Sequence, residues 1–466
     1  MNDLSIDYSF TTKFAHKHLL ENHYLPALED QFYILVYVSA LTNNDALLQL
    51  QFSKPIKTKN IDSQKLSEEL LFLPLREKLD FLARKSLDTD HQVVHNSYLV
   101  EFLDFLIQSA TALNASDIHI EVFELDLFIR VRIDGVLIVL FRFGKIFFNS
   151  LSAILKYFAN LDIAQKRLPL NGRFTRVIEN ISYDCRVSTM PTIYNESLVL
   201  RILQEESFKT NLETIGFDHR TKTLIQSNLA KNQGLILVTG PTGSGKTTTL
   251  YAALNYLNSL EKKIISIEDP VEYRIDGIVQ VGLHEELGLD YHKILKNILR
   301  QDPDVIMIGE IRDSNSLQSA IQAALTGHLV IATLHTNDAV ETIFRLLDLQ
   351  AQPFLISTTL KMVLAQRLVR RLCDDCKIYD KQNKLFLKKG CKNCHYTGYK
   401  NRIVVTEVLN IDQDIAQAIQ KRYDKTTIVE IAQKNGFELL QDCAKRLLLQ
   451  GLTTQEEIVA RIDNVL

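Results

Sequence analysis

Four continuous apolar runs stand in the middle of the chain: Leu235–Val238, Ile264–Ile267, Val305–Ile308 and Leu329–Ala332. Strands buried on both faces of a parallel sheet read this way. Helical stretches separate the runs, so this part of the chain predicts an α/β fold. Earlier residues show a different rhythm. Ser116–Glu121 and Leu127–Ile133 alternate polar and apolar, as half-buried strands do. Asp134-Gly135 is a hairpin signal, and Val136–Phe143 returns as the paired strand. Helical spacing is seen at Tyr98–Leu113 and around Ile146–Leu161, and strand-like runs at Gly172–Ile178, Ile181–Ser188 and Ser197–Leu203. Nearer the start, Gln31–Val38 predicts a strand and Asp45–Phe52 a short helix. A further helix is expected over Ser63–Leu73, ending before Pro74.

Each central run is followed at once by polar residues. After the first come Gly240, Pro241, Thr242, Gly243, Ser244, Gly245, Lys246, Thr247 and Thr248. This is G-x-x-x-x-G-K-[ST], the loop that cradles phosphates. Glycines let backbone N–H groups turn toward an anion. Lys246 can reach the outer phosphates and Thr247 can bind Mg²⁺. The other runs end in Glu268 and Glu272, in Glu310, and in His335. Ligands of open α/β sheets bind off the carboxyl ends of the strands. These residues are therefore expected to meet the phosphates that Lys246 holds, and to hydrolyse ATP.

Cys373 and Cys376 form one C-x-x-C pair, and Cys391 and Cys394 a second, fourteen residues on. Four thiolates close a tetrahedral Zn²⁺ shell. His395 is an alternative ligand. Arg173, Arg176, Arg186 and Arg201 recur on the predicted strands of the second unit. On composition alone they read as a solvated face. The net charge of −3 gives no reason to expect nucleic acid as partner. The most apolar local run, Phe32–Leu41, is too short to span a bilayer. With no signal-peptide pattern at the start, a cytoplasmic protein is expected, with any membrane role through a partner.

The phosphate loop together with SDIHIE, RVRIDGVL, RVSTMPTIYNESLVLRIL, IGFD, IEDPVEY, LRQDPDVIMIGEIRD, LTGHLVIATLHTNDA and PFLISTTLKMVLAQRLVRRLCDDC resembles the type II secretion and type IV pilus assembly ATPases. The resemblance covers about 98–405. It implies a RecA-like P-loop core preceded by an α/β, PAS-like domain and followed by a small tetracysteine zinc subdomain. The pattern along the chain divides it into 1–90 for docking or spacing, 91–208, 209–368 for the ATPase, 369–405 for the cysteines and a helical 406–466. The resemblance further implies a homohexamer that docks on an inner-membrane platform protein. In such a ring Glu310 would activate water, and Glu268 and Glu272 would help hold Mg²⁺. Arg173, Arg186 and Arg201 would contact phosphates. A nucleic-acid translocase and a DNA-uptake pilus motor are the alternatives.

Overall fold

Alternating and continuous apolar runs end up in separate sheets. The computed structural model describes residues 4–42, 52–89, 96–203, 211–283 and 291–462, with only the backbone of His292. The expected helix at Asp45–Phe52 falls almost wholly outside them. Contacts group the chain into two units. The first holds residues up to Gln204 with Cys373–Lys377 and Lys388–Lys400; the second holds the remainder.

After two short helices, Tyr8–Thr11 and His16–Asn22, the first unit forms a three-stranded sheet. β1 (Tyr24–Glu29) runs antiparallel to β2 (Ile34–Val38), which is parallel to β3 (Ile56–Asn60). The helix Ser63–Asp88 starts at Asp62, whose side chain accepts from the N–H groups of Gln64 and Lys65. It does not stop before Pro74 but runs through it for 26 residues. A proline inside a helix costs about 3 kcal/mol. The helix nonetheless continues because both halves bury apolar side chains. Leu66, Leu70 and Leu73 pack with Tyr24, Leu25 and Val36. Phe72, Leu79, Leu82 and Ala83 enter a second core. Each buried Leu or Phe side chain contributes about 1.5–3 kcal/mol, so their sum outweighs the proline.

That second core lies under a six-stranded antiparallel sheet. Its strands are β4 (Ala115–Val122), β5 (Asp126–Ile133), β6 (Val136–Gly144), β7 (Leu170–Ile178), β8 (Ile181–Pro191) and β9 (Glu196–Leu203), in the order β6-β5-β4-β9-β8-β7. Asp134 and Gly135 both take positive φ, 49° and 84°, as the β5–β6 turn requires. Ile118, Ile120, Ile129 and Leu200 are buried with Leu103 and Leu106 of the helix Ser97–Ala112, and with Leu151 and Leu155 of Phe147–Phe158. Below them a fully buried Lys156 pairs with Glu196 at 2.6 Å.

The second unit carries a seven-stranded sheet. Its members are β10 (Gly234–Thr239), β11 (Ile264–Glu268), β12 (Val279–Gly282), β13 (Val305–Ile308), β14 (Leu329–Leu334), β15 (Leu360–Leu372) and β18 (Tyr399–Asn410). A small hairpin, β16 (Ile378–Asp380) and β17 (Leu385–Leu387), stands apart. The order is β12-β11-β13-β14-β10-β15-β18. The four apolar runs become β10, β11, β13 and β14, buried at every position. They pair in parallel along β11-β13-β14-β10. Thr239 stands opposite Leu334, Ile267 opposite Ile308 and Ile308 opposite Ala332, so the carboxyl ends fall within about two residues of one another. Beyond β18 come the helices Gln413–Gln420, Lys425–Lys434, Leu440–Leu449 and Gln455–Arg461, whose Ile415, Ile428, Ala444 and Ile458 join the same core. No described helix is long and apolar enough to cross a membrane.

Candidate active site

These strand ends open onto a cleft of about 470 Å³. Thr242, Gly243, Gly245, Lys246, Thr247 and Thr248 line it, facing Glu268, Glu272, Glu310 and His335. All four strand ends that the apolar runs marked therefore contribute to one site.

The phosphate loop leaves β10 at Gly240, with φ 144°. A Cβ there would stand 2.5 Å from the Gln366 carbonyl and 2.6 Å from Ser244 Oγ, so no other residue fits unshifted. Lys246 Nζ donates to the carbonyls of Gly240 at 2.8 Å and Pro241 at 3.0 Å. Burial pushes this ammonium down to about 8, with Glu310 opposing and Arg367 assisting. Ser244 Oγ is buried and has no hydrogen-bond partner among the described residues. A phosphate oxygen would satisfy it. Thr247 and Thr248 are exposed to the cleft. The loop fits a nucleotide phosphate.

Gln366 on β15 braces the loop. Its Nε2 donates to the Ser244 carbonyl at 2.7 Å and its Oε1 accepts from Thr249 Oγ1 at 2.9 Å. Nothing in the local sequence marks Gln366 for this. It lies 122 residues from Ser244 and is brought there by the β10–β15 pairing.

The carboxylates differ in their surroundings. Glu268 is buried and accepts from Tyr251 OH, from Ser266 Oγ at 2.6 Å and from Gln280 Nε2 at 3.1 Å. Burial and this carboxylate push the Tyr251 phenol far up. Glu272 is half-buried, and its N–H donates to Tyr251 OH at 3.3 Å. Glu310 follows β13 through Gly309, whose N–H donates to the Ile267 carbonyl at 2.7 Å. The Gly309 carbonyl accepts from Thr333 Oγ1 at 2.5 Å. Glu310 is thus fixed between β11 and β14 with its side chain half-open. Arg312 forks onto it at 2.9 and 3.4 Å and reaches Asp269 at 3.3 Å. His335 is exposed at the end of β14. Partial desolvation by the cleft, with Lys246 and Arg312 adding and Glu310 opposing, holds its ring below the ordinary histidine value. Arg402, absent from the sequence reading, also lines the cleft.

In the first unit Arg173, Arg186 and Arg201 stand in register across β7, β8 and β9. Like charges placed opposite one another repel. Asp184 offsets the row by pairing with Arg173, and Asp117 by accepting from Arg201 Nε at 2.9 Å. Arg176 lies outside this row, in a fork with Asp104 at 2.6 and 2.8 Å.

Cys373, Cys376, Cys391 and Cys394 gather with all four sulfurs within 4.8 Å of one another. Three of the Sγ–Sγ separations are 3.8 Å. Four Zn–S bonds of about 2.3 Å in a tetrahedron place sulfurs about 3.8 Å apart, so this donor set fits zinc. His395 is not in the cluster; its ring lies 6.0 Å from that of Phe72. Gln64 Nε2 donates to the neighbouring Tyr396 carbonyl at 2.5 Å.

The sequence profile of the family described as type II/IV secretion system protein matches residues 92–460. The chain belongs to that family. The type II secretion system protein E of Pectobacterium carotovorum subsp. carotovorum is 42% identical over 374 residues, covering 78% of this chain and 75% of that one. The type IV pilus assembly ATPase PilB of Myxococcus xanthus (strain DK1622) is 37% identical over 394 residues, covering 80% and 70%. Among solved structures, the pilus retraction motor PilT with bound ADP superposes with a TM-score of 0.56 at 26% identity, over 77% of this chain and 96% of that one. The ATPase DotB of Legionella pneumophila shares the fold, with a TM-score of 0.59 at 23% identity over 77% and 95%. As a member of this secretion ATPase family, with its phosphate loop in place, the chain is an ATP-hydrolysing enzyme.

Proposed function

We propose that the chain is a ring-forming cytoplasmic motor that spends ATP on assembling a pilus or pseudopilus at the inner membrane. The observation that carries this is the convergence of Lys246, Glu310 and His335 on one cleft, in a chain of the secretion ATPase family. Lys246 and the loop N–H groups hold the β- and γ-phosphates. Thr247 binds Mg²⁺ with Glu272, and with Glu268 if one of its present donors yields. Glu310 orients the attacking water, and His335 donates a ring N–H to an oxygen of the transferring group. Neutralising that group is the main demand of phosphoryl transfer, which gives the in-register arginines Arg173, Arg186 and Arg201 a task in a homohexamer.

The N-terminal residues are proposed to dock on an inner-membrane platform protein. A deletion meant to test this should end at Asp62. A cut at residue 90 would strip Phe72, Leu79, Leu82 and Ala83 from the core of the six-stranded sheet.

Zn²⁺ is proposed at the four cysteines. Protein purified without chelator should contain about one zinc per chain, since four thiolates complete one shell. Less than a tenth of an equivalent by metal analysis would leave the cysteines as free thiols.

The ring is tested by diluting the protein. Turnover per chain should rise with protein concentration, together with a hexamer seen by light scattering. A rate per chain that stays constant where only monomer exists refutes the ring requirement.

A further inference from the structure

The C-terminal region carries no motif, yet Glu407 on β18 reaches the turn that bears His335. Glu407 is 2% exposed. Its Oε1 accepts from the Ala339 N–H at 2.7 Å and its Oε2 from the Leu440 N–H at 2.9 Å. Ala339 opens the helix Ala339–Asp348, and Leu440 opens the helix Leu440–Leu449. One carboxylate thus ties two helix starts together. In the same turn Asp338 pairs with Lys425 at 2.6 Å, and the Asn337 carbonyl accepts from Arg367 at 2.9 Å.

The turn is also fastened to the strand that feeds the phosphate loop. Thr336 N–H donates to Thr239 Oγ1 at 3.0 Å. The hydroxyls of Thr239, Thr336 and Thr342 continue in a chain at 2.6 and 2.7 Å. Thr239 immediately precedes Gly240.

We propose that Glu407 is a positioning residue for ATP hydrolysis, holding the 335–338 turn between the C-terminal helices and the phosphate-loop strand so that His335 stands correctly in the cleft. This rests on the reading that His335 acts there. The chemistry favours a carboxylate at this point. Two helix starts converge, each with unsatisfied N–H groups, and an ionised carboxylate accepts from both. A glutamine has one acceptor oxygen and would turn its NH₂ toward the second N–H. A cavity of about 310 Å³ beside Glu407 gives the turn room to shift when the tie is weakened.

The charged groups that share this cavity are Asp338 and Glu341 before and on the first helix, Arg367 on β15 and Lys425 on its own helix. The helix Leu440–Leu449 adds only Leu440 and Gln441. Burial pushes the Glu407 carboxyl up to about 7, against the two N–H donors; Asp338 adds to the rise and Lys425 opposes it. Glu407 therefore accepts from both helices above that pH and loses one bond as pH falls through it.

The test compares ATP turnover of full-length wild type and Glu407→Gln from about pH 6 to about pH 9, where the tie passes from protonated to ionised. The kcat ratio of wild type to variant should be about tenfold at the alkaline end and fall toward one at the acid end, with KM for ATP changed less than about twofold. Lys246 titrates in both chains and cancels in the ratio. Lys425→Met, at an exposed position, should lower kcat about two- to threefold by loosening Asp338. A ratio constant across the pH range overturns the proposal. If Glu407→Gln does not fold, unchanged turnover in Lys425→Met overturns it. In a His335→Ala background Glu407→Gln should add no further loss. If His335→Ala alone is silent while the pH-dependent ratio persists, the role of His335 fails and Glu407 acts through Thr336 and Thr239 instead.

Discussion

Glu310→Gln should still bind ATP while its turnover falls about 10²- to 10⁴-fold, the range set by removing a positioned general base. The substitution keeps the shape of the side chain. It removes the negative charge that orients and deprotonates water, and nothing that touches the resting phosphates. Gly309 and Thr333 hold the backbone at this point through hydrogen bonds of their own, so the fold should survive. Binding and hydrolysis should therefore separate, with nucleotide affinity near that of wild type. Equilibrium binding and phosphate release measured on one preparation give both quantities. Normal turnover would move the role to Glu268 or Glu272.

Lys246→Ala acts earlier, on binding itself. A hydrogen bond from a charged group contributes about 1.5–3 kcal/mol, so ATP affinity should fall about 10- to 100-fold, and turnover by at least as much. The folded chain should tolerate the loss, since among the described residues Lys246 donates only to two carbonyls of its own loop. A pH signature distinguishes this role from a steric one. Lys246 must carry its proton to pair with phosphate. In the free cleft burial pushes it down to about 8, and a bound phosphate raises it again. Affinity should then be full below that pH and weaken as pH rises through it, with proton uptake on binding. Calorimetry on either side of pH 8 should show the loss in wild type and none in Lys246→Ala. Equal affinity of wild type and variant at neutral pH would remove this loop from the nucleotide site.

The parts of the fold that were legible are those whose signal is local. β10, β11, β13 and β14 are continuous apolar runs because both faces are covered, and their ends carry polar residues because ligands meet them there. Spacing alone was enough to bring four cysteines into one cluster. What was not legible depends on residues far apart. The helix Ser63–Asp88 passes Pro74 because two different cores hold its two halves, which no local propensity records. β1 was missed because Pro26 interrupts it, a residue tolerated only because β1 lies at the edge of its sheet. Arg173, Arg186 and Arg201 were visible as basic residues, but only the register of β7, β8 and β9 aligns them. Gln366 and Arg312 lie in stretches that carry the family resemblance, but their contacts, like those of the partners of Glu268, come from strand order and side-chain reach.

The most direct test of the central claim is a structure of the chain with Mg²⁺ and a non-hydrolysable ATP analogue. The account predicts the β- and γ-phosphates against the N–H groups of Gly243–Thr247, Lys246 Nζ turned from its loop carbonyls onto phosphate, and the γ-phosphate facing Glu310. Analogue bound anywhere else, with Lys246 still on the Gly240 and Pro241 carbonyls, would contradict it.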